Sequence, residues 1–324
     1  MRTTQLITSL FALTLAAPAL GACDAAPIPS PTPGEATTLR PGGFGCSWCT
    51  LTGNSPIVNS ASLADINLAG VNSSGVKISG IQSVDNIFYT LAVDPDTEGF
   101  MGVNLNDVDD TLTGFDVLQA KILLQMNGGG IVYLEITDID VVESWANSGS
   151  PVTVYRASYT NQGQQQSLCP HGNPENQWFT VIADELYDPT THAITPSTTS
   201  LTIACVGQAA AKLKMLDYHP RGNYGSSLEQ RETTLRMITA DYCGTGQSFT
   251  AQGVRVAWSN EAGTVEPPFN EDILEAKWGR DGALCLDYPR EVSLDTVLDV
   301  CELPSCDGNP EFEGAEWRTM LPID

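Results

Sequence analysis

The chain has 324 residues, a hydrophobic content of 42% and nine cysteines. It contains 39 acidic and 15 basic residues, for a formal net charge of −24. This excess of negative charge excludes nucleic acid as a partner, because the phosphate backbone would be repelled. The length and the apolar content are sufficient for more than one folded unit.

The first segment, residues 1–22, has the pattern of a secretory signal peptide. A single early cation, Arg2, precedes an apolar run from Leu6 to Leu20 that ends in small residues. The run is about 15 residues long, shorter than the roughly 20 that cross a bilayer. We therefore expect an exported protein.

The tetrapeptide Leu20-Gly21-Ala22-Cys23 resembles the lipobox of bacterial lipoproteins, in which the cysteine thiol receives a diacylglycerol and becomes the first residue after cleavage. The alternative is ordinary signal cleavage beside an unmodified cysteine. Residues 23–45 follow with many prolines and glycines and little to bury, which predicts an extended tether. The expected partner is a membrane, reached through the N-terminal lipid, with the leaflet left open.

Two folded units are expected after the tether, at residues 46–160 and 161–324. The first has many Val, Ile, Thr and Asn residues and little helical periodicity, which is typical of β-structure. The segment NGGG at 127–130 lies between two apolar runs and predicts a β-hairpin, because consecutive glycines readily adopt positive φ. A further strand is predicted at Val152 to Tyr159.

The second unit is predicted to alternate strands with short helices. Its clearest helix begins near Ser226, which forms a capping-box pattern with Glu229, and Gly244 is placed to end it. Asn270 and Ser293 are further candidate caps, each of a short helix. The predicted fold class is therefore a β-rich α+β protein, with a β-rich unit followed by an α+β unit.

An acidic segment, DPDTEG, matches the first half of a calcium-binding loop through Asp94, Asp96 and Glu98. The twelfth position, where a bidentate Glu should complete the coordination, is Leu105. An acidic surface turn is the simpler interpretation, and calcium binding is kept as an alternative. No other metal or cofactor is expected.

The cysteines form an even set once Cys23 is assigned to lipid, and an even set predicts a disulfide framework in an oxidising compartment. Sequence alone does not select the connectivity. The preferred pairs are Cys46–Cys49, Cys169–Cys205, Cys243–Cys285 and Cys301–Cys306. The alternative for the C-x-x-C pair is a redox dithiol or half of a zinc site, although no second pair stands at zinc-module spacing.

Cys243 has a second interpretation, as a nucleophile. It stands at the expected C-terminal end of a helix, where the helix dipole and the neighbouring Asp241 both disfavour a thiolate. A hydrolase would also need a base, and the histidines of the sequence are His171, His192 and His219. A structural half-cystine is therefore preferred over a thiol hydrolase that uses Cys243 with His219.

The motif Ala240-Asp241-Tyr242-Cys243 resembles the namesake motif of the ADYC domain, a domain of unknown function in exported bacterial proteins. The resemblance spans about residues 168–300 and includes further matching positions: Ala211, Lys212, Tyr218, Pro220, Arg236, Met237, Gly244, Thr250, Gly253, Trp278, Gly282, Ala283, Cys285 and Arg290. Where the family pattern carries two cysteines, this chain has Leu213 and Thr234, as expected when a disulfide is lost as a pair. The resemblance implies an ADYC-like domain within residues 161–324 and supplies no catalytic residue.

Together these features predict a lipid-anchored protein of the cell envelope, in the periplasm or at the outer-membrane surface. We expect a non-catalytic binding or structural module whose partner is an envelope protein or an extracellular ligand. The alternatives are the thiol hydrolase and a calcium-dependent, adhesin-like protein.

Overall fold

A computed structural model describes residues 56–169, 177–188, 191–250, 254, 256–266, 272–308 and 311–322. The signal segment, the tether, Cys23, the predicted Cys46–Cys49 pair, His171 and the candidate cap Asn270 lie outside the described residues. The described residues all belong to one compact unit, Thr38–Asp324. Among them, no helix combines the length and apolar character that a membrane span requires.

The described residues from 56 to 205 consist mainly of strands joined by turns. A short ladder joins β1 (Ile57–Val58) to β2 (Ala61–Ser62), and an 11-stranded antiparallel sheet follows. The strands of this sheet are β3 (Ile66–Asn67), β4 (Lys77–Gln82), β5 (Phe88–Val93), β6 (Phe100–Asn104), β7 (Asp107–Leu112), β8 (Lys121–Gln125), β9 (Ile131–Val142), β10 (Val152–Asn161), β11 (Gln164–Ser167), β12 (Phe179–Tyr187) and β13 (Ile194–Cys205). Their order is β3-β13-β12-β10-β9-β8-β4-β5-β6-β7, with β11 paired to β10. A 3-10 helix spans Gly114–Val117.

The hairpin predicted around residues 127–130 is confirmed as β8 and β9. The two strands pair antiparallel with Leu123 opposite Tyr133. Gly128 and Gly129 in the connection adopt φ of 99° and 91°, which residues with a Cβ rarely adopt. The predicted strand at Val152 to Tyr159 is confirmed as most of β10.

Strand β12 and the second half of β13, from Ser200, are buried on both faces, because each face packs against a different apolar core. Successive side chains of a strand point to opposite sides, so one pair of strands can serve two cores. Phe179, Val181, Leu201 and Ile203 belong to the core of the large sheet, whereas Ile182, Tyr187, Ile194 and Ala204 belong to a second core. The β12–β13 hairpin therefore lies between the two cores and packs against both.

The boundary predicted between residues 160 and 161 falls inside β10. That strand pairs with β9 on one side and, through Tyr155 and Phe179, with β12 on the other. Since β12 and β13 come after the predicted boundary, the large sheet continues across it. The β-rich segment and the helical segment share strands instead of being joined by a linker.

The second core lies among three helices and a smaller sheet. The helices are α1 (Ala209–Met215), α2 (Leu228–Thr239) and α3 (Leu294–Leu298), and the four-stranded antiparallel sheet has the order β14-β17-β15-β16, with β14 (Ala257–Asn260), β15 (Asp272–Gly279), β16 (Gly282–Leu286) and β17 (Trp317–Pro322). Ser293 caps α3 as expected, because its Oγ accepts a hydrogen bond from the Thr296 amide at 3.2 Å. The fold class is a β-rich α+β protein, as predicted.

The ends of α2 differ from the prediction. The N-cap is Ser227, whose side chain accepts from the Gln230 amide at 3.2 Å while the Gln230 side chain accepts from the Ser227 amide at 2.8 Å. The capping box is thus one residue later than the predicted pair of Ser226 and Glu229. The helix also stops before Gly244, at Thr239, because Ala240 takes the left-handed conformation.

Candidate functional site

The ADYC motif, residues 240–243, forms the end of α2 and the start of the loop that follows. Ala240, Asp241 and Tyr242 have no exposed surface, and Cys243 is partly exposed. Ala240 has φ of 51° and donates its N–H to the last turn of the helix. This left-handed cap reverses the chain and directs the next three side chains into three different surroundings.

Asp241 organises the loop after α2. Its Oδ1 accepts from the Thr245 amide at 3.0 Å, and its Oδ2 accepts from the Gly246 amide at 2.8 Å. The same Oδ2 lies 3.0 Å from His192 Nδ1. A buried carboxylate is costly unless it has hydrogen-bond donors, so these contacts explain why a fully buried position holds an aspartate.

His192 reaches Asp241 from the turn between β12 and β13, where its own backbone φ is 56°. The far side of its ring, Nε2, faces Ser248 Oγ at 3.5 Å. Ser248 is held there by its neighbour Phe249, whose amide donates to the Ala240 carbonyl at 3.2 Å. The histidine is buried, with 2% of its side chain exposed, whereas Ser248 is partly exposed.

The phenol of Tyr242 contacts a buried ion pair formed by Glu275 and Arg290. The hydroxyl donates to Glu275 Oε1 at 2.5 Å and accepts from the Arg290 amide at 2.8 Å. Arg290 Nε donates to the same Glu275 oxygen at 2.6 Å. Burial and the negative charge of Glu275 raise the pKa of Tyr242 far above its usual value, so the phenol remains protonated and able to donate. Its ring stacks on Trp278 with centroids 5.2 Å apart.

Arg290 also completes the C-terminus of α2. Its Nη1 and Nη2 donate to the carbonyls of Ile238 at 3.2 Å and Met237 at 2.9 Å. The last carbonyls of a helix lack intrahelical donors, and the helix dipole favours a cation at this end. One guanidinium therefore links α2 to Glu275 in β15.

The described residues contain three disulfides, Cys169–Cys205, Cys243–Cys301 and Cys285–Cys306. The first is a predicted pair and is confirmed. The predicted pairs Cys243–Cys285 and Cys301–Cys306 are wrong, because Cys243 is bonded to Cys301 and Cys285 is bonded to Cys306. Cys243 and Cys301 pack against the core of the three helices, whereas Cys285 and Cys306 pack in a small cluster with Leu274.

These disulfides indicate an oxidising, extracytoplasmic compartment. All three disulfides have a structural role. Cys243 is bonded to Cys301, so its sulfur is not the free thiolate that a thiol hydrolase would use. His219, the base considered for that hydrolase, instead lies 3.1 Å from Glu98.

The acidic residues of the predicted calcium loop have separate partners. Asp94 Oδ1 accepts from the amides of Asp96 at 2.8 Å and Thr97 at 3.3 Å, the pattern of an Asx turn. Glu98 instead lies with 13% of its side chain exposed, and its Oε2 is 3.2 Å from Lys214 Nζ in α1. The turn is therefore attached to the helical part of the molecule.

Glu98 is held as a carboxylate. Burial would raise its pKa, but the contacts with His219 and Lys214 outweigh burial and lower the pKa to about 2. Within the described ranges, no three His, Cys, Asp or Glu side chains are grouped so that they could hold a metal ion. Calcium binding through Asp94, Asp96 and Glu98 stays a prediction.

Two groups of contacts in this site are not predicted by the sequence. Glu275 lies 33 positions after Tyr242, in a strand that also contains Asp272 and Lys277, so its charge did not distinguish it as a partner of the motif. His192 was noted, but nothing in its neighbourhood indicated Asp241 or Ser248 as partners. Both groupings depend on distant segments that meet only in the folded chain.

The comparison with family models matches residues 114–292 to the ADYC domain. The match covers more than half of the chain and begins before the predicted start of the ADYC-like domain at residue 161. It includes strands β8 to β13 together with α1 and α2, so the motif and the β12–β13 hairpin that carries His192 belong to the same domain. No curated protein and no solved structure matches the chain. The chain therefore belongs to the ADYC domain family.

Proposed function

We propose that this protein is an exported, lipid-anchored module of the cell envelope with a binding or structural purpose. The observation that carries the proposal is the set of three disulfides, because such bonds form and persist in oxidising compartments. Cys23 would carry the acyl chains, and residues 23–45 would hold the folded part away from the membrane.

The roles of the ADYC motif support a module whose sulfur atoms have no chemical activity. Tyr242 holds the Glu275–Arg290 pair together, and Cys243 is a half-cystine. These groups stabilise the fold and are not directed at a substrate. With a formal net charge of −24, the module favours a partner with a basic surface.

Anchoring through Cys23 is consistent with the energetics of lipidated proteins. Each buried methylene contributes about 0.8 kcal/mol, and stable attachment requires more than one acyl chain. A diacylated cysteine meets that requirement. An unmodified N-terminus would leave the protein free in the compartment to which it is exported.

Metabolic labelling with an alkyne-bearing palmitate tests the anchor. We expect label and membrane association in the full chain, and loss of both in Cys23→Ser. The double variant Cys46→Ser/Cys49→Ser is the matched control, since it removes two other N-terminal cysteines and should keep the label. A full chain that is exported without label would refute the anchor.

Mass spectrometry without reduction tests the role of the sulfur atoms. After iodoacetamide treatment of the oxidised protein, we expect the Cys243 peptide to be linked to the Cys301 peptide and to carry no alkylation. Alkylated Cys243 in the native protein would restore the thiol hydrolase as the better interpretation.

A further inference from the structure

The ring of His192 lies between a buried carboxylate and a hydroxyl. Nδ1 is 3.0 Å from Asp241 Oδ2, and Nε2 is 3.5 Å from Ser248 Oγ. A serine nucleophile is activated by this order of groups, with the base between the hydroxyl and an orienting carboxylate. The hydroxyl–imidazole distance is at the long end, as in many catalytic sites without substrate.

The surroundings of Asp241 determine which ring nitrogen carries the proton. The carboxylate already accepts from the amides of Thr245 and Gly246, and it can only accept. Its third partner, His192 Nδ1, must therefore donate a proton. In the tautomer that carries its proton on Nδ1, Nε2 presents a lone pair to Ser248, as a general base requires.

The imidazole is one of three groups that contact the buried carboxylate, beside the amides of Thr245 and Gly246, so it helps to hold Asp241 in place and at the same time is oriented by it. Solvent also reaches the hydroxyl side, since Ser248 is partly exposed and Thr245 and Gln247 on the same loop are exposed.

We propose that Ser248 is a nucleophile, that His192 is its general base, and that Asp241 positions the histidine, for acyl transfer from carboxylic esters. The net acidity of the chain favours neutral or cationic esters over anionic ones. This inference goes beyond the proposed function, because it adds a chemical activity to a module whose cysteines have none.

The reaction balances without a cofactor. Ser248 Oγ attacks the ester carbonyl and forms the new O–C bond while its proton passes to His192 Nε2. The ester C–O bond breaks, and the alcohol leaves with that proton. Water then attacks the acylated serine with the same base, which releases the carboxylic acid and restores the hydroxyl.

A fluorophosphonate probe tests the nucleophile on the full, oxidised chain, because such a probe bonds to an activated serine through phosphorus and releases fluoride. We expect a mass gain on the peptide that contains Ser248, and no gain in Ser248→Ala. The matched control is Ser197→Ala, since Ser197 is also partly exposed but its Oγ bonds to Ser200 and not to a histidine. The control should leave labelling unchanged.

His192→Gln tests the base. Removal of a general base slows such reactions by about 100-fold or more, so we expect at least that loss in the labelling rate. An unmodified Ser248 peptide in the natural chain, modification at another residue alone, or equal labelling of His192→Gln would each overturn the proposal. If His192→Gln does not form the native disulfides, the comparison of Ser248→Ala with Ser197→Ala decides.

The outcome is independent of the proposed function. Palmitate labelling at Cys23 and the disulfide map should be identical in the natural chain and in Ser248→Ala. Failure of the probe therefore removes the acyl-transfer activity and leaves the anchor in place, whereas failure of lipid labelling removes the anchor and leaves Ser248 to be judged separately.

Discussion

Replacement of Tyr242 by phenylalanine tests whether the motif tyrosine stabilises the fold through its hydroxyl. The ring and its stacking on Trp278 are kept, and only one oxygen is removed. That oxygen donates to Glu275 at 2.5 Å and accepts from the Arg290 amide at 2.8 Å. All four residues are nearly or fully buried, so water does not replace the lost partner.

The expected loss follows from the two groups left without this partner. A buried polar group that loses its hydrogen bond costs about 1–3 kcal/mol, and more when the group is charged. Glu275 is charged, and its second oxygen has no hydrogen bond to any described residue. We therefore expect Tyr242→Phe to lower the free energy of unfolding by about 2–4 kcal/mol.

Urea unfolding with the disulfides intact measures this difference. Tyr159→Phe is the control, because Tyr159 has a buried ring whose hydroxyl donates to Gln166, an exposed residue that water can solvate. We expect the control to lose less than about 1 kcal/mol. If Tyr242→Phe loses no more than the control, the buried network does not have the stabilising role assigned to it.

Three further outcomes are expected. The variant Cys243→Ala/Cys301→Ala opens a loop with a sequence separation of 58 residues and should lower the free energy of unfolding by about 3–4 kcal/mol, measured in urea; a loss below about 1 kcal/mol would contradict this pairing. The pKa of Glu98 is lowered from 4.5 to about 2, so the stability advantage of the natural chain over Glu98→Gln should be complete above pH 4.5 and should disappear as the pH falls toward 2. Thermal unfolding measures this advantage, and a difference between the two proteins that is constant with pH would refute the ion pair. Gly244→Ala should lower the free energy of unfolding more than Gly263→Ala in the same assay, since the φ values are 65° and 68° but only the new Cβ at 244 would clash with the backbone oxygen of Asp281. Equal losses would show that this clash is relieved by a small shift of the backbone.

Local patterns in the sequence were sufficient for several elements. The glycine run predicted the β8–β9 hairpin, because the positive φ values of a tight connection depend only on the few residues of that connection. The cap of α3 at Ser293 was visible for the same reason. The capping box of α2 was placed one residue early, since Ser226 and Ser227 offer the same side chain and only the helix geometry selects Ser227.

Features that join distant segments needed the tertiary structure. The even cysteine count predicted bridges, but the partners of Cys243 and Cys285 depend on which core each sulfur faces. The contact of His192 with Asp241 depends on the β12–β13 turn meeting the end of α2, 49 positions later in the chain.

The sequence by itself therefore determined the strand-rich character, the β8–β9 hairpin and the cap of α3 at Ser293, because these follow from side-chain periodicity and backbone preferences over short distances. Only the folded chain decided the partners of Cys243 and Cys285, the Glu275–Arg290 pair and the alignment of Ser248 with His192. Those contacts form when two cores are packed against one hairpin, and packing between segments far apart in the chain leaves no pattern within either segment.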